Sequence, residues 1–293
     1  MKVAIIGGSG KMGRWFARHL LAEGDEVVIS GRTESKVMEA RRELGVDTAS
    51  SIEAVKDADV ILLSVPIETF EDIVVELAPH IQPEQVVVDV TSVKVMPVAA
   101  MHRHLKTRLV LGTHPLFGPG AKGITGQNFV VTPTNNEEEA LAEKVRDYLE
   151  TRGARVSLMT PEEHDDKMAV ILGLSHFIAV VAADTLISSN KVAQPTALGG
   201  ITYKVLLTLV ESVISENPEL YASIQMNLPG VAEIEALFQE KVAEWAEMVR
   251  KKDRGAFIRQ MKTLKSRLEK DNPEFGKAYE NMYRLIEGLK DHR

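Results

Sequence analysis

The sequence contains no cysteine among its 293 residues. This absence excludes disulfides, cysteine-ligated zinc, iron–sulfur clusters and thiol catalysis, and it is compatible with the cytoplasmic location that we expect. Aromatic residues are scarce at 5%, and 35 basic residues are outnumbered by 42 acidic ones, which gives a net charge of −7. Because an acidic chain with few aromatic rings is a poor partner for nucleic acid, we expect no nucleic-acid binding.

Long apolar runs are also missing. The short N-terminal run meets a glycine cluster at Gly7 and has no cleavage site, so it does not have the pattern of a signal peptide. The most apolar stretch runs from Met168 to Ala183, which is shorter than the ~20 residues that a membrane span needs. We therefore expect no membrane contact. The stretch is predicted to be a buried helix of a domain core, or one that also buries surface in a dimer.

Short β-rich segments alternate with helical segments in the first half of the chain. The predicted strands are Val3–Ile6, Glu26–Ser30, Val60–Val65, Val86–Val90, Leu109–Gly112, Phe129–Thr132 and Arg155–Leu158. The predicted helices are Met12–Glu23, Glu34–Leu44, Ile67–Ala78, Val95–Leu105 and Glu137–Arg152. This alternation predicts an α/β fold with a Rossmann-type, doubly wound parallel sheet, here a dinucleotide-binding domain over residues 1–159.

The second half of the chain has a different pattern, without a convincing strand. Thr160, Pro161 and Glu163 together form a helix start. Helices are predicted near 161–190, 196–215, 219–226, 231–252, 255–270 and 274–290, with breaks at Pro195, Pro218, Pro229 and Pro273. With a length that suggests about two domains, we predict an all-α C-terminal domain over residues 160–293.

A glycine motif follows the first predicted strand and opens the first helix. It consists of Gly8, Ser9, Gly10, Lys11, Met12 and Gly13. In such a motif Gly8 permits the tight turn, Gly10 lets the backbone approach a pyrophosphate, and Gly13 lets helix and strand pack closely. The helix N-terminus offers N–H groups to the phosphates. Its place between a strand and a helix makes this motif a predicted dinucleotide site.

The end of the second predicted strand lacks the acid that binds the ribose 2′-hydroxyl of NAD. Arg32 and Thr33 stand there instead, and Lys36 follows in the next helix. A guanidinium suits the additional phosphate of NADP. We therefore predict that NADP is preferred over NAD; the alternative is that Arg32 and Lys36 are solvated surface charges.

Further candidate residues follow the next strands, at the sheet edge where ligands bind in open α/β folds. Ser64, Val65 and Pro66 are expected to wall the cofactor. The segment 89–94 presents polar side chains that include Ser92.

His114 is predicted to lie in a rigid loop, because the following Pro115 restricts its backbone to extended geometry. An imidazole there has a suitable pKa to take a hydroxyl proton while hydride leaves the same carbon. His114 is therefore the predicted base of a hydroxyl-oxidising enzyme.

Two other histidine positions have less certain roles. His176 lies in the most apolar helix, and the pattern leaves two alternatives open, a core histidine with a hydrogen-bond partner or a ligand contact. His164, Asp165 and Asp166 are adjacent on a helix and do not face one another. We expect them on an exposed first turn and predict no metal site.

Together these motifs resemble the prephenate dehydrogenase family of tyrosine biosynthesis. The resemblance covers residue 1 to about 270, and it rests on the glycine motif, residues 64–66, residues 89–94, His114-Pro115 with residues 117–119, and Ser175-His176. It implies oxidative decarboxylation of prephenate to 4-hydroxyphenylpyruvate with hydride transfer to NADP or NAD. It also implies a homodimer formed through the helical domain.

The resemblance implies roles for individual residues. His114 is the base that takes the ring hydroxyl proton, and Ser92 orients that histidine and touches the hydroxyl. Ser175 and His176 are implied to lie in the substrate pocket. Many members carry an arginine that holds a substrate carboxylate. The corresponding segment of this chain, residues 199–206, contains no arginine, and Lys204 there either supplies the positive charge or faces solvent.

This departure leaves prephenate or its amino analogue arogenate as the substrate. Two alternatives lie further away. The glycine motif with residues 31–33 also resembles coenzyme F420-dependent NADP reductases, although those chains are shorter and lack a long helical domain. The other alternative is a non-catalytic NADP-sensing regulatory protein, but in such a protein His114 and its polar neighbours would have no function.

Overall fold

The computed structural model describes residues 1–189 and 198–288. The chain divides into two compact units. Unit 1 comprises Met1–Met168 and Met226–Pro229, and unit 2 comprises the described parts of Ala169–Gln225 and Gly230–Arg293. Unit 1 thus includes the helix Pro161–Met168, which lies beyond the boundary at residue 159 that the sequence suggests.

Unit 1 is built on an eight-stranded sheet with the order β3-β2-β1-β4-β5-β6-β7-β8. The strands are β1 (Lys2–Ile6), β2 (Glu26–Ser30), β3 (Asp47–Thr48), β4 (Val60–Leu63), β5 (Val86–Asp89), β6 (Val110–Pro115), β7 (Asn128–Thr132) and β8 (Arg155–Leu158). Strands β1 to β6 pair in parallel. Their order, 3-2-1-4-5-6, is that of the doubly wound dinucleotide-binding sheet, so the predicted fold class is confirmed.

Strand β7 departs from the predicted all-parallel sheet, because it pairs antiparallel with β6. Strand β8 then pairs in parallel with β7. The sequence analysis also missed β3 and the short helix α3 (Ser51–Lys56). Both are too short for a hydrophobic period to emerge, although Ser50 and Glu53 form a capping box that marks the start of α3.

Helices pack on both faces of the sheet. Besides α3 they are α1 (Lys11–Ala22), α2 (Glu34–Leu44), α4 (Phe70–Leu77), α5 (Val95–His104), α6 (Asn136–Glu150) and α7 (Pro161–Met168). Alternate residues of β1 enter two different hydrophobic clusters, Ala4 and Ile6 one, Val3 and Ile5 the other. Burial on both faces explains why these strands consist of nearly continuous aliphatic residues.

The regular secondary structure of the described residues of unit 2 is all helical, in agreement with the predicted all-α domain. It begins with a π-helix at Ala169–Leu174. The α-helices that follow are α8 (Ser175–Ser188), α9 (Ile201–Ile214), α10 (Pro218–Asn227), α11 (Val231–Arg250), α12 (Arg254–Asp271) and α13 (Ala278–Gly288). The predicted break at Pro195 lies outside the described residues.

The most apolar helix is not buried in a core of the single chain, which corrects the first alternative of the prediction; burial of its surface in a dimer stays a prediction. Taken from Pro161 to Ser188, it is long and apolar enough to cross a membrane by length and composition alone; one such helix is weak evidence, because core helices of soluble proteins pass the same test. Only 17% of its most apolar window is buried. Ile171 is 51% exposed and Ile187 is 65% exposed, so the single chain leaves apolar side chains uncovered.

Candidate active site

The segment from β1 into α1 has no room for a Cβ at Gly7, Gly8 or Gly13. Gly7 has a φ of 83°, in the left-handed region that favours glycine, and a Cβ there would lie 2.1 Å from the carbonyl oxygen of Ser64. A Cβ on Gly8 would lie 2.6 Å from Ile29, and one on Gly13 would lie 2.5 Å from the Gly7 oxygen. The tight turn that the sequence analysis assigned to Gly8 is therefore made by Gly7.

The N-terminus of α1 fits the pyrophosphate of a dinucleotide. Gly10 is exposed and precedes α1 without a capping side-chain hydrogen bond. The turn thus presents backbone N–H groups and the positive end of the helix dipole to an anion. Ser9, Lys11 and Met12 flank this position in the chain.

Arg14 of α1 joins the glycine turn to the start of α2. Its guanidinium donates to the carbonyl oxygens of Ser9 at 3.1 Å and Lys36 at 3.2 Å, and it forms an ion pair with Glu39. A Cβ on Gly31 would lie 2.4 Å from Ser9 Oγ. The glycine turn and the segment after β2 are therefore one local structure, although the sequence analysis assigned no role to Arg14.

The residues predicted to select NADP lie together after β2. Arg32, Thr33 and Lys36 are all exposed. Thr33 is the N-cap residue of α2 but makes no capping hydrogen bond, and Glu34 opens the helix. Two cationic side chains and a hydroxyl thus stand at the carboxyl end of β2, which suits a phosphate group.

Ser64 and Val65 follow β4 directly beside the glycine turn. Val65 Cγ1 would lie 3.2 Å from a Cβ on Gly7, and the Ser64 N–H donates to the Ile6 carbonyl at 2.8 Å. Pro66 is exposed and precedes a 3₁₀ turn. Ser64 and Val65 thus lie beside the glycine turn, and their contact with a cofactor stays a prediction.

The segment between β5 and α5 contains a buried polar network that the sequence analysis did not anticipate. Asp89 and Lys94 are both 0% exposed and form an ion pair. The Thr91 hydroxyl donates to Asp89 at 2.6 Å, and the Thr113 hydroxyl donates to the Asp89 carbonyl at 2.7 Å. Burial raises the pKa of Asp89 and lowers the pKa of Lys94, while each charge opposes the shift of the other. Of the polar residues in segment 89–94, Ser92 alone is half-exposed, and the others are buried.

His114 lies on β6 and not in a loop, which corrects the prediction. The strand continues through Pro115, so that His114 pairs with Val130 of β7. The imidazole is 5% exposed, and its Nδ1 lies 2.8 Å from Nε2 of His164. Burial is the main reason that the pKa of His114 lies well below its usual value of 6.5. His114 is therefore neutral at physiological pH.

His164 and Asp165 are the residues that the sequence analysis placed wrongly. They are 0% and 2% exposed, and they do not decorate an exposed turn. His164 Nδ1 lies 2.7 Å from Asp165 Oδ1, and burial lowers the pKa of His164. The hydrogen-bond partner of His114 in this structure is thus His164, whereas the sequence analysis assigned that role to Ser92. Contact of Ser92 with a substrate hydroxyl stays a prediction.

The loop after β6 is attached to α1. Trp15 Nε1 donates to the carbonyl oxygen of Ala121 at 2.7 Å, and its ring meets the Phe117 ring edge-on with centroids 4.8 Å apart. Trp15 is 5% exposed. The loop that follows His114 is therefore held on the helix that begins at the glycine turn.

The candidate substrate residues Ser175, His176 and Lys204 lie in unit 2. Ser175 donates to the carbonyl oxygen of Ile171, inside its own helix. His176 is half-buried against the Tyr221 ring, with centroids 4.8 Å apart, and burial lowers its pKa. Lys204 lies on α9 and is exposed. The alternatives that the sequence left open for Lys204 therefore stay open.

Unit 2 also holds polar atoms that lack a partner. Among the described residues, three buried side-chain atoms make no hydrogen bond: His176 Nδ1, Tyr203 Oη and Gln225 Oε1. The other end of the Gln225 amide donates to the Gly173 carbonyl in the π-helix at 2.9 Å. A buried unpaired polar atom is costly, and the two interpretations of His176, a core histidine or a ligand contact, both stay predictions.

Comparisons with known proteins bear on the family and the fold of this chain. The family model "Prephenate dehydrogenase, nucleotide-binding domain" matches residues 16–158, and "Prephenate dehydrogenase, dimerization domain" matches residues 160–263. A solved structure of prephenate dehydrogenase from A. aeolicus, in complex with hydroxyphenyl propionate and NAD+, superposes with a TM-score of 0.77 at 22% identity, covering 93% of this chain and 98% of that chain. This likeness supports the fold.

Curated relatives carry related names. A probable arogenate/prephenate dehydrogenase of Methanocaldococcus jannaschii is 35% identical over 266 residues, which is 89% of this chain and 60% of that protein. A T-protein of Haemophilus influenzae is 31% identical over 241 residues, 81% of this chain and 59% of that protein. The chain thus spans about three fifths of the length of these relatives. With two family models that together match most of the sequence, the chain belongs to the prephenate dehydrogenase family.

Proposed function

We propose that this protein oxidises prephenate to 4-hydroxyphenylpyruvate, with loss of carbon dioxide and transfer of hydride to NADP, in tyrosine biosynthesis. The observation that carries the proposal is His114. It is a buried, neutral imidazole whose Nδ1 is already hydrogen-bonded, at the same carboxyl edge of the sheet as the glycine turn and Ser64.

The residues present fit a nicotinamide dinucleotide. Gly7, Gly8 and Gly13 form a turn that a Cβ would fill, and the uncapped start of α1 suits the pyrophosphate. When bound, this cofactor supplies a hydride acceptor. Ser64 and Val65, beside the turn, would wall it.

The chain has to supply a proton acceptor and the correct alignment of the substrate. His114 takes the proton of the ring hydroxyl as hydride leaves C4, the carbon that carries this hydroxyl. Loss of the ring carboxylate as carbon dioxide then completes the aromatic ring, and His114 returns the proton to the phenolate oxygen. Ser92 would contact the same hydroxyl. Because formation of an aromatic ring drives the reaction, alignment and one proton acceptor suffice.

Preference for NADP rests on the residues after β2. Arg32 and Lys36 would pair with the 2′-phosphate, and Thr33 would donate a hydrogen bond to it. Arg32→Ala is expected to weaken NADP binding by about 10-fold or more and to leave NAD binding nearly unchanged. Titration of both cofactors checks this, with the exposed Arg18→Ala on α1 as the control. Tighter binding of NAD than of NADP to the unaltered protein would overturn the preference.

Recognition of the substrate carboxylates is assigned to unit 2. Lys204 would supply the positive charge that other family members take from arginine, with His176 and Ser175 in the same pocket. A lysine is a less directional donor than arginine, so arogenate is the alternative substrate. Comparison of kcat/KM for prephenate and arogenate decides between them.

Self-association into a homodimer through unit 2 is part of the proposal. The second family model is that of a dimerization domain, and apolar side chains of the π-helix and α8 are exposed in the single chain. Burial of such a surface against a second copy is the ordinary way for a protein to remove it from water.

The test of the function is to mix the protein with prephenate and NADP and to follow the absorbance of the reduced nicotinamide. Turnover with release of carbon dioxide is the expected result. Turnover only with reduced F420 would favour the reductase alternative. Cofactor binding without turnover of prephenate or arogenate would favour the NADP-sensing alternative.

A further inference from the structure

A chain of three buried side chains ends on the predicted base. His114 Nδ1 lies 2.8 Å from His164 Nε2, and His164 Nδ1 lies 2.7 Å from Asp165 Oδ1. None of the three side chains is more than 5% exposed. The first contact joins two nitrogens and the second joins a nitrogen and an oxygen, so each hydrogen bond requires one proton between its two atoms.

The protons in this chain have a direction, because Asp165 is fixed as an acceptor. Its Oδ1 accepts the backbone N–H of Lys94 at 2.7 Å, and its Oδ2 accepts that of Val95 at 3.0 Å. Backbone N–H groups can only donate. Both carboxylate oxygens are thus engaged as acceptors, and the contact with His164 is a hydrogen bond that His164 Nδ1–H donates.

The tautomer of His114 follows. A neutral imidazole carries one N–H, so His164, protonated at Nδ1, has a bare Nε2 that accepts. The donor to Nε2 must be Nδ1–H of His114. His114 then has its lone pair on Nε2, which is the atom that a base needs.

The competing arrangement is an imidazolium at His164, which would donate from both nitrogens and reverse the tautomer of His114. The charged groups around His164 are Asp165, Asp89 and Lys94. Asp165 and Asp89 favour the cation, whereas burial and Lys94 disfavour it. Burial is the largest of these effects and lowers the pKa of His164, so the neutral form prevails.

We propose that His164 and Asp165 are positioning residues that hold His114 as the Nδ1–H tautomer, with Nε2 free to take the substrate proton. This inference rests on the proposed function of His114. Asp165 also binds the first backbone N–H groups of α5, two residues after Ser92. One carboxylate therefore fixes both the tautomer of the base and the start of the helix that follows Ser92. When Nε2 takes the proton, the resulting imidazolium keeps its hydrogen bond to His164, as the histidine of a serine-protease triad keeps its bond to aspartate.

The first test needs no turnover. In protein with ¹⁵N-labelled histidine, the two ring nitrogens of His114 have different chemical shifts, and the His114 signals are assigned with His114→Gln. The expected spectrum at pH 7.5 shows Nδ1 protonated and Nε2 bare. A protonated Nε2 on His114 would overturn the proposal, whatever the substrate of the protein is.

The second test compares two substitutions of His164. In His164→Gln the amide oxygen can still accept from His114 Nδ1–H, whereas His164→Phe fills similar space without an acceptor. We expect His164→Phe to lower kcat by roughly 10²–10⁴-fold with KM and NADP affinity nearly unchanged. His164→Gln should recover at least about tenfold of that loss.

The matched control is His102→Phe, which removes an imidazole bonded to a buried carboxylate, Glu138, elsewhere in unit 1. It should keep the kcat of the unaltered protein. Equal activity of the two His164 variants, or a loss confined to KM, would show that His164 does not position the base. If the unaltered protein fails to turn over prephenate or arogenate, the proposed function fails, while the NMR result on the tautomer still stands.

Discussion

The two units differ in how their polar groups are satisfied. In unit 1 the buried ionisable side chains bind one another, Asp89 with Lys94 and His114 with His164. Among the described residues, three buried side-chain atoms lack a hydrogen bond. All three lie in unit 2, and one of them belongs to His176. A buried polar atom without a partner costs about 1–3 kcal/mol. The buried ionisable groups of unit 1 therefore have partners within the chain, whereas the three atoms of unit 2 have none among the described residues.

Their apolar surfaces differ in the same way. Strand β1 of unit 1 is covered on both faces, and Ile5 of β1 and Ile29 of β2 are fully buried. In unit 2 the helix α8 exposes aliphatic side chains, and α12 has no buried residue. A sheet with helices on both faces completes its own core. The exposed aliphatic side chains of unit 2 are the observation behind the proposal that this unit forms the dimer.

The largest effect is expected from removing the base in unit 1. His114→Ala should lower kcat by roughly 10²–10⁴-fold, because no other group takes the hydroxyl proton. NADP affinity should survive, since the glycine turn is untouched. Steady-state kinetics and a cofactor titration measure both. Near-normal turnover would remove the catalytic role from unit 1.

The buried ion pair should be the next most sensitive feature. Lys94→Met leaves the Asp89 carboxylate unpaired in a fully buried site, which should cost about 3–5 kcal/mol of unfolding free energy. Urea denaturation followed by circular dichroism measures the loss. The exposed Lys241→Met in unit 2 is the control and should change stability by less than about 0.5 kcal/mol. Equal effects of the two substitutions would mean that burial of the pair does not matter.

The uncovered surface of unit 2 can be tested with a single charge. Ile171→Glu should weaken self-association by at least about tenfold, because a carboxylate without a partner is costly in an apolar interface. Sedimentation equilibrium measures the dimer. The control is Val75→Glu in unit 1, at an aliphatic side chain of similar exposure, 48% against 51%. Dimers that withstand Ile171→Glu but not Val75→Glu would place the interface on unit 1.

The smallest effect is a dependence of stability on pH that arises in unit 1. The pKa of His114 is well below 6.5 in the folded protein because of burial, whereas the unfolded chain binds the proton near pH 6.5. The unfolded state therefore takes up a proton first as the pH falls, and this binding lowers its free energy relative to that of the folded state. His114 should make the protein less stable by up to about 1.4 kcal/mol for each pH unit below 6.5.

Urea denaturation between pH 7.5 and 5.5 measures this slope, and His114→Phe should reduce it. The kinetic counterpart has the same origin. A base with a lowered pKa stays neutral, so kcat should not fall between pH 8 and 6.5. A fall of kcat centred near pH 6.5 would contradict a buried, neutral His114.

Sequence reasoning succeeded where the signal is local. The strand bounds Glu26–Ser30 and Arg155–Leu158 agree with the structure residue for residue. The first contains an aliphatic run of the kind that a covered parallel strand buries, and the second alternates exposed and half-buried residues. The start of α7 at Pro161 was also correct, since capping residues act within one turn. The error at β6 has a physical reason as well. A proline in a sequence argues against a strand, but Pro115 lies at the last position of β6.

The error about His164 and Asp165 shows the limit of periodicity. Two adjacent polar residues on a helix project in different directions, and this was the argument for an exposed turn. In the folded chain they contact each other, and each also binds a residue that is distant in the sequence. His164 contacts His114, and Asp165 accepts the backbone N–H of Lys94. No spacing rule connects positions that are 50 and 71 residues apart.

The amino-acid sequence by itself determined the elements of this protein: the glycine turn, the order of strands and helices, the helical second half and a histidine at a strand end. These follow from interactions between near neighbours in the chain, which composition and spacing record. The tertiary structure decided which side chains are buried together and where their protons lie. That outcome depends on contacts between segments that are distant in the sequence. In a medium of low dielectric constant, the protonation state of each group is set by the groups that surround it.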